Sequence, residues 1–257
     1  MDQRTEVFGA GEFYDRLAPD YDQMTGFEGR FVRERSAFKV LVDNHCITTA
    51  LDAGCGTGFH SFLLARLGVA VTAVDLSAAM LEGLRRHSSE ENLTIAVLQA
   101  SFQELPQRLS VSFDGIFCMG NALSHLLTDQ DLRMALNNFS TMLNPGGLLV
   151  LQLLNYERIL DQRPRVLNTR KIGATIYTRY YEYENPLIRF NISKSREGNE
   201  QPDEIITTTL RPILQKELSV IVRDAGFEST KCFGSISMTE YLPATSQDLV
   251  VLALRRA

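Results

Sequence analysis

A chain of 257 residues, 44% hydrophobic and 22% charged, carries enough apolar material for a sizeable core and no charge block or low-complexity tract suggesting disorder. Its 26 basic and 31 acidic residues leave a net charge of −5, the wrong sign for a generic nucleic-acid binder, which displaces counterions with a basic face. The most apolar run, GLLVLQLL at 147–154, is eight residues long where a bilayer crossing takes about 20. The opening MDQRTEVFGAGEF also lacks the apolar stretch of a signal peptide.

A cytoplasmic protein without membrane or nucleic-acid contact is therefore expected. Cys46, Cys55, Cys118 and Cys232 form no C-x-x-C pair, so neither a disulfide framework nor a zinc site is indicated, and no metal is expected.

Taken in chain order, residues 30–45 place Phe31, Phe38, Leu41 and Val42 at helical intervals. A short apolar run ends at Ala50–Ala53, GCGTG follows, and Phe59–Leu67 reads as a helix that Gly68 stops. Val69–Val74 is a β-branched strand, and Ser77 caps a helix running to about His87. Leu93–Leu98 and Phe113–Cys118 are further strands. Asp129–Leu143 is a helix, closed by Asn144-Pro145-Gly146-Gly147, which launches the next strand. This alternation predicts an α/β fold with a doubly wound, mostly parallel sheet.

From Arg163 to Leu210 the helical period is lost. TIYTRYYEY (175–183) and LIRFNISK (187–194) alternate with period two around an Asn185-Pro186 turn. The segment 163–210 is read as an inserted antiparallel β ribbon within a single domain over 1–257, because it is too short for its own core. Pro212 is expected at the first position of a helix with Ile213, Leu214, Leu218, Ile221, Val222 and Ala225 inward. Strands Phe227–Cys232 and Asp248–Leu254 then bring the main sheet to seven strands.

The chemistry concentrates in Leu51-Asp52-Ala53-Gly54-Cys55-Gly56-Thr57-Gly58. A strand that ends in alternate glycines and runs into a helix lets the main chain approach a ligand closely and turns N–H groups and a helix dipole toward it. Asp75 ends the next strand, 17 residues after Gly58, where a carboxylate can accept both hydroxyls of a ribose. Together they describe an adenosine site.

The tighter G-x-G-x-G spacing of LDAGCGTG resembles motif I of the class I S-adenosylmethionine-dependent methyltransferases, which have a Rossmann-like fold. The likeness extends through VTAVDLSAAML (71–81), ASFQEL (100–105), FDGIFCMGN (113–121) and LNPGGLLVLQ (143–152). It implies S-adenosyl-L-methionine as cofactor and S-adenosyl-L-homocysteine as product. Carried over by motif, Asp52, Gly54, Cys55, Gly56 and Gly58 would line the methionine and ribose portion, Asp75 would hold the ribose hydroxyls, and Leu76 would lie beside the adenine. Ser101 and Phe102 would meet the adenine edge and face, and Cys118 and Met119 would either reach the methionine moiety or pack in the core.

FYDRLAPDYD (13–22) resembles the Y-D-x-x-A-x-x-Y-D leader of small-molecule methyltransferases, a cap over the cofactor that with the following helix makes up residues 1–45. Tyr14 and Tyr21 are seven residues apart, two helical turns, so both either face the pocket or anchor the cap by packing. CMGNALSHL and NPGGLLVLQLLNYERIL resemble the glycine and sarcosine N-methyltransferase branch, in which the asparagine matching Asn121 faces the substrate. That branch carries an arginine before the N-Y pair, where this chain has Leu154. A leucine cannot neutralise a carboxylate, which argues against glycine itself as acceptor.

The expected activity is methyl transfer to a small-molecule acceptor, with nitrogen favoured. O- or C-methylation, or cofactor binding without turnover, stays open. Asn121, Tyr14 and Tyr21 are the candidates for orienting the acceptor. His125 is either a general base or a helix-start histidine bonded to backbone. The ribbon offers Arg165, Arg179 and Tyr181, and serves equally well as a lid or as a contact between copies of the chain.

Overall fold

The computed structural model describes residues 6–199 and 201–256. Two sheets organise it. The larger has seven strands in the order β11-β12-β6-β5-β2-β3-β4. They are β2 (Thr49–Ala53), β3 (Ala70–Asp75), β4 (Ala96–Gln99), β5 (Phe113–Cys118), β6 (Leu143–Leu154), β11 (Phe227–Phe233) and β12 (Asp248–Arg255). β2 to β6 pair in parallel, and β12 and β11 close one side antiparallel. Helices α3 (Phe59–Arg66), α4 (Ala78–Glu90), α5 (Leu105–Arg108), α6 (Asp129–Met142) and α8 (Gln215–Asp224) connect these strands.

Strands buried on both faces must be apolar on both faces, and β6 shows it. Leu149, Leu151 and Leu153 join the core on one side with α6 and α8, while Leu148 and Val150 join the other, under α2 (Phe27–Asn44) and α3. The chain leaves β2 in one direction to build β3 and β4, then returns to its other side with β5. That reversal opens a crevice at the carboxyl ends of β2 and β5, the usual ligand position in such sheets.

The smaller sheet has the order β1-β10-β9-β8-β7. β7 (Val166–Ile172), β8 (Thr175–Glu184), β9 (Leu187–Arg196) and β10 (Glu204–Leu210) are antiparallel, and β1 (Val7–Phe8) adds to β10 in parallel. The period-two pattern of 175–183 puts Tyr177 and Tyr181 in the buried layer, Tyr177 against α1 (Ala10–Thr25) and Tyr181 against α7 (Tyr156–Gln162). Neither β1 nor α7 stands out in the sequence: two residues carry no period, and α7 is signalled only by the Asn155 cap, whose side chain accepts from the Arg158 N–H.

One helix boundary differs from expectation. Pro212, Ile213 and Leu214 precede α8, so Pro212 is not its first residue. Ile213 is buried through an extended connection, and Leu214, its flanking residue, is partly exposed. An apolar side chain can reach the core from a strand-like segment as readily as from a helix. The third predicted strand is also shorter, beginning at Ala96 and not Leu93.

Candidate functional site

At the switch point lies a cavity of about 130 Å3, lined among others by Gly54, Cys55, Gly56, Asp75, Leu76, Phe102 and Met119. It meets a wider chamber of about 580 Å3 walled by the ends of β6 and β12, by α2, and by β7 to β10. Tyr14, Tyr21, Thr25, Arg30, Gly120 and His125 line both spaces and so form the rim between them.

The first chamber is local in origin. Gly54 follows β2 with φ +76°, and a Cβ there would stand 2.7 Å from the Ala122 Cβ, so only glycine fits. A Cβ on Gly56 would point toward the Tyr21 ring at 3.8 Å, filling the gap between loop and cap. The Asp75 carboxylate accepts from the Gly56 N–H (2.8 Å) at Oδ2 and from the Ser77 N–H (2.9 Å) at Oδ1. Burial raises its pKa, and these amides oppose that. A carboxylate offers about four lone-pair directions, so acceptor capacity remains on both oxygens for a vicinal diol. Leu76, 47% exposed, supplies a flat apolar face beside it.

The cap explains the spacing of its Tyr-Asp doublets. Tyr14 and Tyr21 lie on one side of α1, with ring centroids 6.1 Å apart. Asp15 and Asp22, one residue on in each case, fasten that helix to the site. Asp15 Oδ1 accepts from Ser77 Oγ (2.6 Å) and the Ala79 N–H (3.1 Å), at the amino end of α4 where the helix dipole favours an anion. Asp22 accepts from Thr57 Oγ1 (2.5 Å) and faces His87 Nε2 at 3.2 Å. Sequence reasoning assigns these two carboxylates no role, and the repeated Tyr-Asp doublet is their signal.

On the rim, the Tyr14 hydroxyl and His125 Nε2 are 3.2 Å apart. Desolvation drops the His125 pKa to about 4 and raises that of both tyrosines, so at neutral pH imidazole and phenols are all uncharged. His125 Nδ1 is buried without a partner. Of the two expectations for His125, the backbone-bonded one gives way to a ring bonded to Tyr14. Asn121 is a junction: it adopts φ +71°, its Oδ1 accepts from Ser124 Oγ (3.0 Å) and the Leu154 N–H (3.1 Å), and its Nδ2 donates to Tyr156 (3.0 Å). It borders the wider chamber with one amide hydrogen to spare.

Four predicted cofactor residues line neither chamber. Asp52 is buried and accepts from Ser61 Oγ (2.6 Å). Cys118 packs in the sheet core, because side chains alternate along a strand and Met119, its neighbour, takes the cavity side. Gly58 makes room for Leu84 and Phe62, either of which a Cβ would meet within 3.0 Å. Ser101 is engaged by Glu104, which accepts from its N–H (2.8 Å) and Oγ (2.7 Å).

The wider chamber is assembled from distant parts. Leu154, just before the Asn155-Tyr156 pair, is in direct cross-strand register with Asp248, whose pKa burial raises. Arg30 donates to Glu34 (3.0 Å), and Arg158 donates to the Ser246 carbonyl and Gln247. Glu34 also faces His60 Nε2 at 3.2 Å; burial raises its pKa, but His60 and Arg30 outweigh this and hold it low. These carboxylate partners of His60 and His87 lie too far off in sequence to be read there. Arg179 of β8 lines the chamber, whereas Arg165 is exposed and outside it. No group of metal-ligating side chains occurs among the described residues, and no described helix is long and apolar enough to cross a membrane.

A methyltransferase domain family matches residues 50–147. Glycine/sarcosine N-methyltransferase of Aphanothece halophytica is 25% identical over 230 residues, covering 89% of this chain and 84% of that protein. A crystal structure of an S-adenosylmethionine-dependent methyltransferase from Clostridium acetobutylicum superposes with a TM-score of 0.80 at 16% identity, covering 95% of this chain and 99% of that one. Residues 50–147 are a methyltransferase domain, and the relatives and the fold support a class I S-adenosylmethionine-dependent methyltransferase.

Further relatives agree. The glycine/sarcosine N-methyltransferase of Halorhodospira halochloris is 32% identical over 58% of this chain and 56% of its own, and human glycine N-methyltransferase is 35% identical over 47% and 45%. For these two the match spans about half of the relative's length. The CcbJ methyltransferase from Streptomyces caelestis has a TM-score of 0.79 at 22% identity, covering 95% of this chain and 98% of that chain. As a methyltransferase, the protein uses S-adenosylmethionine as cofactor. The first chamber suits that group: an open carboxylate for a diol, an apolar platform, and a main chain without Cβ atoms.

Proposed function

We propose that this methyltransferase acts on the nitrogen of a small-molecule amine in the wider chamber. The observation that carries this reading is the rim. At neutral pH its imidazole is too weak a base and its phenols stay protonated, so neither takes a proton from an alcohol or a C–H acceptor. An amine needs no such base once it is neutral, and burial lowers an ammonium's pKa, with Arg158 and Arg179 adding to this and Glu34 and Asp248 opposing it. The N-methyltransferase relatives point the same way.

In this reading Gly54, Cys55, Gly56, Asp75, Leu76, Phe102 and Met119 hold the cofactor, which supplies an electrophilic methyl group on a sulfonium. Tyr14 and Tyr21 align the acceptor at the junction of the two chambers, where correct placement lowers the barrier by up to roughly 7–11 kcal/mol. His125, uncharged, fixes the Tyr14 hydroxyl and is a positioning residue, not a base. Asn121 holds the ends of β5 and β6 in place and offers its remaining amide hydrogen to the acceptor. The smaller sheet roofs the chamber and keeps water out.

The test is methyl transfer from isotope-labelled cofactor to matched acceptors that differ only in an amine or a hydroxyl at the reacting position. Label in the amines alone is expected. Label in the hydroxyl compounds at a comparable rate would overturn the nitrogen assignment.

A further inference from the structure

Most charged side chains of the acceptor chamber have hydrogen-bond partners among the described residues. Arg30 is matched by Glu34, and Arg158 is tied to the Ser246 carbonyl and Gln247. Arg179 is the exception. It is half-buried on the inward face of β8, lines the chamber, and makes no hydrogen bond or ion pair among the described residues. Its electrostatic neighbours include the neutral phenols of Tyr21, Tyr14 and Tyr181.

Two residues on, at the next inward position of the same strand, the Tyr181 hydroxyl is buried, lines the same chamber and also lacks a partner. Native proteins seldom bury a cation and a hydroxyl together without an acceptor. Both donors stand on one strand, and both open into one cavity.

We infer that Arg179, seconded by the Tyr181 hydroxyl, receives a carboxylate on the methyl acceptor. This rests on the reading of the wider chamber as the acceptor site and names the chemical class that site takes. A guanidinium presents parallel N–H donors that match the two oxygens of a carboxylate, and the phenol adds a third donor. A monoanion suits the chamber better than a phosphate dianion, since one cation is free while Glu34 and Asp248 lie in the same walls.

The anion-holding role therefore falls to the smaller sheet. The end of β6, where Leu154 faces Asp248 across the strands, cannot serve it. Leu154 brings no charge to the end of β6, whereas β8 contributes the Arg179 guanidinium to the same chamber.

The experiment measures binding of acetate, acetamide and inorganic phosphate to the full chain saturated with S-adenosylhomocysteine, by calorimetry or by tyrosine fluorescence, as the chain has no tryptophan. Acetate is expected to bind at least about tenfold more tightly than acetamide, with phosphate no tighter than acetate. Arg179→Met should remove that preference, Arg179→Lys should keep part of it, and Tyr181→Phe should weaken acetate about threefold or more. Each variant's affinity for S-adenosylhomocysteine reports that it is folded, since neither residue lines the cofactor chamber.

Equal binding of acetate and acetamide, or acetate binding unchanged in Arg179→Met, would overturn the inference. Phosphate binding more tightly than acetate would overturn the choice of a monoanion. Failure of the nitrogen assignment would look different: carboxylate binding through Arg179 would persist while label appeared in hydroxyl acceptors.

Discussion

The two chambers share a rim but were built in opposite ways. The cofactor chamber comes mainly from consecutive strand ends of one sheet: the loop after β2, the carboxylate ending β3, the residues after β4, and Met119 after β5. The wider chamber, the proposed acceptor site, draws on α1, α2, the end of β6, four strands of the smaller sheet and the start of β12. A ligand shared by a whole family is held by short motifs at fixed spacing. A ligand peculiar to one member is held by side chains that only long-range packing brings together. The chemistry differs accordingly, since the first chamber works by main-chain approach and one carboxylate, and the second by paired and unpaired charges.

That contrast can be broken most sharply on the cofactor side. Asp75→Ala removes the acceptor for a diol and strands the Gly56 and Ser77 amides, so affinity for S-adenosylhomocysteine is expected to fall at least about 100-fold by calorimetry. An affinity within about threefold of wild type would show that the chamber holds its ligand otherwise. Gly54→Ala puts a Cβ 2.7 Å from Ala122 at a left-handed backbone position. Crowding and strain together should cost about 2–3 kcal/mol in urea unfolding.

At the rim, Tyr14→Phe removes the contact to His125 but leaves the ring. Turnover should drop about tenfold, with cofactor-product affinity changed by less than about threefold. A loss confined to cofactor affinity would move Tyr14 wholly into the first chamber.

The His125 test is subtler. Its folded pKa of about 4 lies below the unfolded value of about 6.5, so the unfolded chain takes up the proton first as pH falls. The stability its neutral form contributes is complete above about pH 6.5 and declines toward pH 4. The stability difference between wild type and His125→Gln, followed by denaturant titration, should shrink over that window. A constant difference would mean that the imidazole is not desolvated. The smallest effect belongs to Arg165→Ala, exposed and outside the chamber, which should leave turnover within about twofold of wild type.

What could be read in advance follows the same division. The doubly wound sheet was legible because its strands are short apolar runs separated by helical periods and glycine stops, and Ser77 and Asp75 announce themselves by position. The alternation of 175–183 showed the face on which Arg179 and Tyr181 lie, but not what that face meets. Cys118 and Met119 were adjacent and indistinguishable until the strand's orientation put one in the core and the other on the cavity. Asp15 and Asp22 were visible as half of a repeated doublet, yet their partners at Ser77 and Thr57 are 62 and 35 residues away. Pro212 matched a local rule for helix starts that an extended connection to buried Ile213 overrode.

The amino-acid sequence by itself announced the strands and helices of the main sheet and the glycine loop with the carboxylate that follows it, since each shows in local periodicity or spacing. Only the tertiary structure decided which charged groups of the wider chamber find hydrogen-bond partners and that Arg179 is left over. Pairing between residues far apart along the chain is set by how sheets and helices pack, and no local spacing encodes it.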